Sequence, residues 1–145
     1  RPMSLEALTP AGTPDMTGVP HKGTNSLPLF RRFAKVFYRP DGPAAATERW
    51  GYNDNSPLLL TTVGPGYYVA YMLPSGEALV DYLRQPPGTL PGAPPLISNG
   101  ARLSRFVYYQ TQDVLRRVSE HVSIGRASRG GKPMPNWFVL CRNAA

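Results

Sequence analysis

Residues 67–83, YYVAYMLPSGEALVDYL, decide the fold. Runs 67–73 and 78–83 are short and rich in aromatic and β-branched residues, and Pro74-Ser75-Gly76-Glu77 between them ends one strand and starts the next. This is the pattern of a β-hairpin. Side chains alternate across a strand, so Tyr67, Val69 and Tyr71 share one face and Tyr68, Ala70 and Met72 the other. Both faces are apolar or aromatic, as in a central strand or a barrel wall with something packed outside it.

The same reading extends outward. Residues 32–39 (RFAKVFYR) form a strand stopped by Pro40-Asp41-Gly42, and 58–63 (LLLTTV) a strand stopped by Gly64-Pro65-Gly66. Residues 102–110 (RLSRFVYYQ) read as a strand, and 122–127 and 137–142 as two more around a turn from Ser128 to Pro133. Residues 111–122 read both ways: Val114, Leu115, Val118 and Val122 recur at helical spacing, with Asp113 placed to cap the first turn. Between these elements, 85–100 (QPPGTLPGAPPLISNG) carries five prolines and reads as a stiff irregular excursion. Residues 1–29, with prolines at 2, 10, 14, 20 and 28, read as an extended N-terminal arm, leaving 30–145 as the folded domain. The expected class is mostly β and antiparallel, a barrel or sandwich with at most one short helix.

A chain of 145 residues supports one core, and 17 prolines with 14 glycines argue against long helices. The net charge of +7 is unevenly spread. Residues 1–101 hold eight basic and seven acidic groups, whereas 102–145 hold eight basic groups against Asp113 and Glu120. Such a basic third serves an acidic partner, an anionic surface or solubility alone. Cys141 is the single cysteine, so no internal disulfide forms; this favours a reducing, cytoplasmic setting and leaves a secreted one open. Arg1 in place of a methionine leaves room for a removed signal peptide. No apolar run approaches the ~18 residues of a membrane span.

Few residues point to chemistry. One cysteine and two histidines, His21 and His121, give no metal-ligand spacing, so neither a metal nor any other cofactor is implied. There is no G-x-S-x-G elbow, and Cys141 in a terminal apolar strand reads as a buried structural thiol. Gly130-Gly131-Lys132 lacks the remainder of a phosphate loop and reads as a hairpin turn. For acid–base work the candidates are the group Asp113, Glu120 and His121, and Asp81 if it points inward, where Arg105 would pair with it; a solvated outward Asp81 is the simpler alternative. Arg105-Phe106-Val107-Tyr108-Tyr109 has the look of a base-stacking strand, but the glycine pattern of an RNA-recognition module is missing, which argues against nucleic acid.

Residues 107–142 carry Tyr108 or Tyr109, Asp113, Leu115, Arg116 or Arg117, Val118, Gly125, Gly131, Phe138, Leu140 and Arg142 in an order that resembles the closing strands of small bacterial calycin-like, lipocalin-type barrels. The Gly-x-Trp-x-x-x-Glu module of those proteins does not occur here. The resemblance implies a calycin-like barrel that holds a small apolar molecule, and leaves carrier or cofactor-free enzyme open. Within such a barrel the expected ligand-binding residues are Tyr67, Tyr71, Tyr82, Tyr109 and Trp137 as walls and Arg105 as the anchor of a polar end. The rival expectation is an accessory subunit, laying its arm on a neighbour and its basic third on an acidic protein or a second copy.

Overall fold

The computed structural model describes residues 2–26, 32–54, 64–100, 108 and 110–142. After helix α1 (Leu5–Leu8), strands β1 (Val19–Asn25), β2 (Arg32–Tyr38), β3 (Glu48–Asp54), β4 (Tyr68–Met72), β5 (Ala78–Asp81), β6 (Thr111–Arg117), β7 (Val122–Arg129) and β8 (Lys132–Arg142) follow in chain order, with a 3-10 turn at Pro43–Ala46 before β3. Each strand pairs antiparallel with its sequence neighbour, and β1 closes on β8, giving an eight-stranded closed barrel. Closure leaves no free sheet edge.

The hairpin at 67–83 forms as read: Leu73 N–H donates to the Glu77 carbonyl at 2.8 Å and Gly76 takes φ 86° in the turn. The β7–β8 turn is tighter than the expected span from Ser128 to Pro133. Gly130 and Gly131, with φ 58° and 80°, make a two-residue connection between Arg129 and Lys132. Positive φ at both central residues matches the twist of the strands they join. The expected strand at 58–63 lies outside the described residues, as does most of that at 102–110.

The structure goes beyond or against the sequence reading in three places. Residues 111–117 are a strand, not a helix: Thr111, Asp113 and Leu115 are buried at alternate positions, while both sides of β6 are paired, to β5 and to β7. The helical spacing of the valines was incidental, because the two-sided ladder satisfies every backbone group that a helix would. Val19–Asn25, inside the stretch read as an arm, is a barrel strand whose buried inward positions are His21 and Gly23. Its Pro20 pairs only with β2, since β8 ends at Arg142 opposite His21. β3 has no counterpart in the sequence reading; it turns Arg49, Gly51 and Asn53 inward and Trp50 and Tyr52 outward, so its apolar residues sit on the wrong side for the usual alternation.

The lumen is packed by Phe37, Tyr68, Ala70, Ala78, Val80, Leu115, Phe138 and Leu140. Packing is close enough that a Cβ on Gly125 would clash with the Phe138 ring and lie 2.8 Å from Leu115. A second cluster, Val36, Tyr38, Trp50, Tyr52, Tyr67 and Val69, lies on the outer face of β2–β4. The proline-rich excursion covers it with Leu90, Ala93 and Leu96, and is tied down where Tyr38 donates to the Gly88 carbonyl (2.7 Å) and Tyr67 to the Pro94 carbonyl (2.6 Å).

Candidate functional site in the barrel lumen

The two ends of the barrel differ. At one end β6 passes into β7 and β4 into β5, and residues 3–9 close the opening. Leu8 is fully buried among lumen residues, Met3 N–H donates to the Gly76 carbonyl (2.8 Å), and Arg49 Nε donates to Thr9 Oγ1 (2.6 Å). Arg142 Nη1 donates to the carbonyls of Glu6 (3.2 Å) and Ala7 (2.9 Å), two of the last carbonyls of α1, which the helix itself leaves unpaired. His21 Nε2 lies 2.9 Å from the Leu8 carbonyl, which can only accept, so this nitrogen carries the proton. Burial lowers the His21 pKa to about 4, the Leu8 hydrogen bond opposing that and Arg142 adding to it. The imidazole is therefore neutral near pH 7. On the other side of Arg142, Nη2 donates to His121 Nδ1 at 3.0 Å.

At the opposite end β1, β3, β5 and β7 finish and β2, β4, β6 and β8 begin. The half of the lumen nearer this mouth holds a charge. Lys35, central in β2 and 3% exposed, donates through Nζ to Tyr82 Oη (2.5 Å), Asn53 Oδ1 (3.0 Å) and Asp113 Oδ2 (3.1 Å). Asn53 Nδ2 in turn donates to Tyr82 Oη (2.9 Å) and the Gly66 carbonyl (3.1 Å). The rings of Tyr82, Tyr68, Phe138 and Phe33 stand 5.1, 5.3, 5.5 and 5.6 Å from Nζ, within the range of cation–π attraction. Burial lowers the Lys35 pKa and Asp113 works against that, while burial and the charge of Asp113 hold the Tyr82 phenol well above its ordinary value. Asn136 shares the inward parity of Phe138, one rung nearer the mouth, and its buried Oδ1 has no partner among the described residues.

Of the residues expected to line a ligand, Tyr82 alone among those described faces the lumen, stacked on Tyr108 at 5.2 Å. Tyr67 and Tyr71 carry the opposite parity and face outward, Tyr67 under the excursion and Tyr71 donating to Asp81 Oδ2 at 3.1 Å. Trp137 is 45% exposed on the outer face of β8, with the Arg126 guanidinium 5.0 Å from its ring. Arg105 and Tyr109 lie outside the described residues. One-residue parity explains the misplacement: in β4 the inward set is Tyr68, Ala70 and Met72.

The acid–base candidates do not converge. Asp81 points outward yet is buried, accepting from Tyr71, the Leu83 N–H (3.0 Å) and Gln112 (3.2 Å). Asp113 is in the lumen, whereas Glu120 and His121 lie beyond Arg117, about 13 Å of strand away. Cys141 is exposed, not buried, because β8 turns Phe138, Leu140 and Arg142 inward. Of the basic residues in the last third, Arg142 holds the plug and Arg116 pairs with Glu77 on the surface at 2.5 Å.

The residue that sequence reasoning missed is Lys35. Its signal was present, since Phe33, Lys35 and Phe37 share one parity in a strand and place an ammonium between two rings.

Fold and site together define a closed antiparallel eight-stranded barrel with one plugged end and a charged, aromatic-walled lumen toward the other. Comparison with protein-family models, curated proteins and solved structures gives no match. Among the described residues no helix is long and apolar enough to cross a membrane, and no group of His, Cys, Asp or Glu could hold a metal.

Proposed function

We propose that the chain is a small-molecule-binding barrel of calycin type that takes an apolar or aromatic ligand carrying one oxygen-bearing end. The observation that carries this reading is the asymmetry of the lumen. Burying an ammonium away from solvent costs several kcal/mol unless the site compensates it, and a hydrocarbon-filled core would serve stability at least as well. Here the charge stands in the half of the lumen away from the plug, between aromatic walls, and the buried Asn136 amide oxygen on that side has no partner among the described residues. A few convergent polar groups in an apolar cavity are the usual make-up of a ligand site. Of the residues that carry the calycin resemblance, Asp113, Leu115, Gly125, Phe138, Leu140 and Arg142 take inward positions and support the same reading, while Val118 is exposed and Gly131 lies in the β7–β8 turn.

Native mass spectrometry of protein purified from its source tests this directly. A co-purified small molecule on a monomer or dimer supports the carrier, and an apo-protein held in a larger complex overturns it. Titration with 2-naphthalenemethanol, followed by tyrosine fluorescence, gives a second measure; saturable binding weakened by Phe138→Ala is the expected result.

A second reading, the accessory subunit, is favoured by the outer face of β7 and β8. Val139 is 45% exposed beside Trp137, and Ile124 pairs with it across the strands, with Arg126 and Lys22 at the margins. Val139→Glu would leave a carrier unchanged and would release a subunit from its complex.

A further inference from the structure

We propose that Lys35 forms a reversible imine with an aldehyde or ketone on the ligand, so that the barrel holds a carbonyl compound covalently. The inference rests on the carrier reading and names its substrate class.

An amine adds to a carbonyl only when it is neutral and a proton can be moved at the reacting centre. Lysines desolvated among apolar walls are the usual imine formers, because burial disfavours the ammonium. The surroundings of Lys35 serve both conditions, since burial works against its charge and Asp113 stands beside it to take the proton. It is enclosed by four aromatic rings, and its Nζ touches Tyr82 Oη and Asp113 Oδ2, a phenol and a carboxylate able to pass protons. The exposed lysines, Lys22 and Lys132, have no such surroundings.

The step balances without redox change. Asp113 accepts the proton of the ammonium, and the Nζ lone pair bonds to the carbonyl carbon while the C=O π pair moves to oxygen. That oxygen takes the proton back from Asp113, directly or relayed by Tyr82, and Asp113 then removes one N–H proton, giving the neutral carbinolamine. Asp113 returns that proton to the hydroxyl, and the C–O bond breaks as the nitrogen lone pair forms C=N, so that water leaves and the remaining N–H stays as an iminium beside the Asp113 carboxylate. The Asn53 Nδ2–H, already turned toward Tyr82, is placed to hold the carbinolamine oxygen. Aromatic walls that exclude water slow hydrolysis of the product, and they suit an aromatic or conjugated carbonyl in preference to a short aliphatic one.

The chain has only three lysines, Lys22, Lys35 and Lys132, which makes the test clean. The folded wild-type protein is incubated with 2-naphthaldehyde, reduced with cyanoborohydride and mapped by peptide mass spectrometry, with 2-naphthalenemethanol as the non-carbonyl control. The expected result is one naphthylmethyl group on Lys35, with its share over Lys22 and Lys132 rising as pH falls from about 9 to about 7, where ordinary lysines are protonated. Tyr82→Phe should keep the label on Lys35 and slow its formation on the order of 10²-fold, the usual contribution of a positioned acid. Saturable binding of the alcohol with label only on Lys22 and Lys132 overturns the imine and leaves the carrier standing. Absence of alcohol binding overturns the carrier and takes the imine with it.

Discussion

The two halves of the lumen solve the same packing problem in opposite ways. The plugged half is filled by Leu8, Phe37, Ala70, Ala78, Leu115 and Leu140, and its polar groups, Arg142, Arg49 and His21, serve backbone carbonyls and a hydroxyl of the chain segment that closes it. The mouth half encloses Lys35 and Asp113 among rings and keeps an unpaired amide oxygen at Asn136. In the first half Arg142, Arg49 and His21 hold structure, each against a partner in the closing segment. In the second the polar groups converge on one another around an ammonium, which is how a site differs from a seal.

The strongest test of that difference is Asp113→Leu. It leaves the Lys35 ammonium buried without its counter-charge and is expected to cost about 3–5 kcal/mol in urea unfolding. Adding Lys35→Met should recover most of the loss, since replacing both partners of a buried pair by apolar residues is often neutral. If the double variant is as unstable as the single, the pair is a structural keystone rather than a site. In the plug, Leu8→Ala removes a fully buried side chain and should cost about 2–5 kcal/mol, with binding of 2-naphthalenemethanol unaffected. A loss of binding would merge the two halves into one unit.

The third test is pH. His21 has a folded pKa of about 4 against 6.5 when unfolded, so between these values the unfolded chain binds the extra proton. Stability is fully present above pH 6.5 and falls as pH drops toward 4, by roughly 3 kcal/mol over the window. His21→Gln should flatten that slope in pH-dependent thermal melts. An unchanged slope would mean that the plug does not depend on a neutral imidazole. The smallest effect is expected outside the lumen. Tyr67→Phe, which loses the Pro94 tie, should cost about 1 kcal/mol and expose the 85–100 excursion to protease.

How much of this was legible in the sequence depends on which constraint dominated locally. The hairpin at 67–83 was legible because turn residues and both strands lie within one short segment. Strand β6 was not, because its partners β5 and β7 supply the ladder, and the spacing of its valines fits a helix equally well. β1 and β3 were hidden for a sharper reason: their inward residues are His21, Gly23, Arg49, Gly51 and Asn53, which form a lumen only once the plug and Tyr82 are present to pair with them. Tyrosine-rich strands pointed to a cavity but not to its side, since two of the nominated tyrosines pack under the excursion. Lys35 required trusting an alternation in which a cation takes an apolar slot, the local inconsistency expected at functional positions.

The contact that seals the barrel joins residues far apart in the chain: Arg142 reaches the Glu6 carbonyl across 136 positions. Every other strand pairs with its immediate successor, so seven of the eight seams can form by local zippering, while the β1–β8 seam must wait for the final strand. Non-local pairings of this kind slow folding. Until the seam closes, β1 and β8 are bare edges able to recruit another chain. The expected kinetic signature is late protection of the β1 and β8 amides in pulse-labelled hydrogen exchange, together with refolding yields that fall as protein concentration rises.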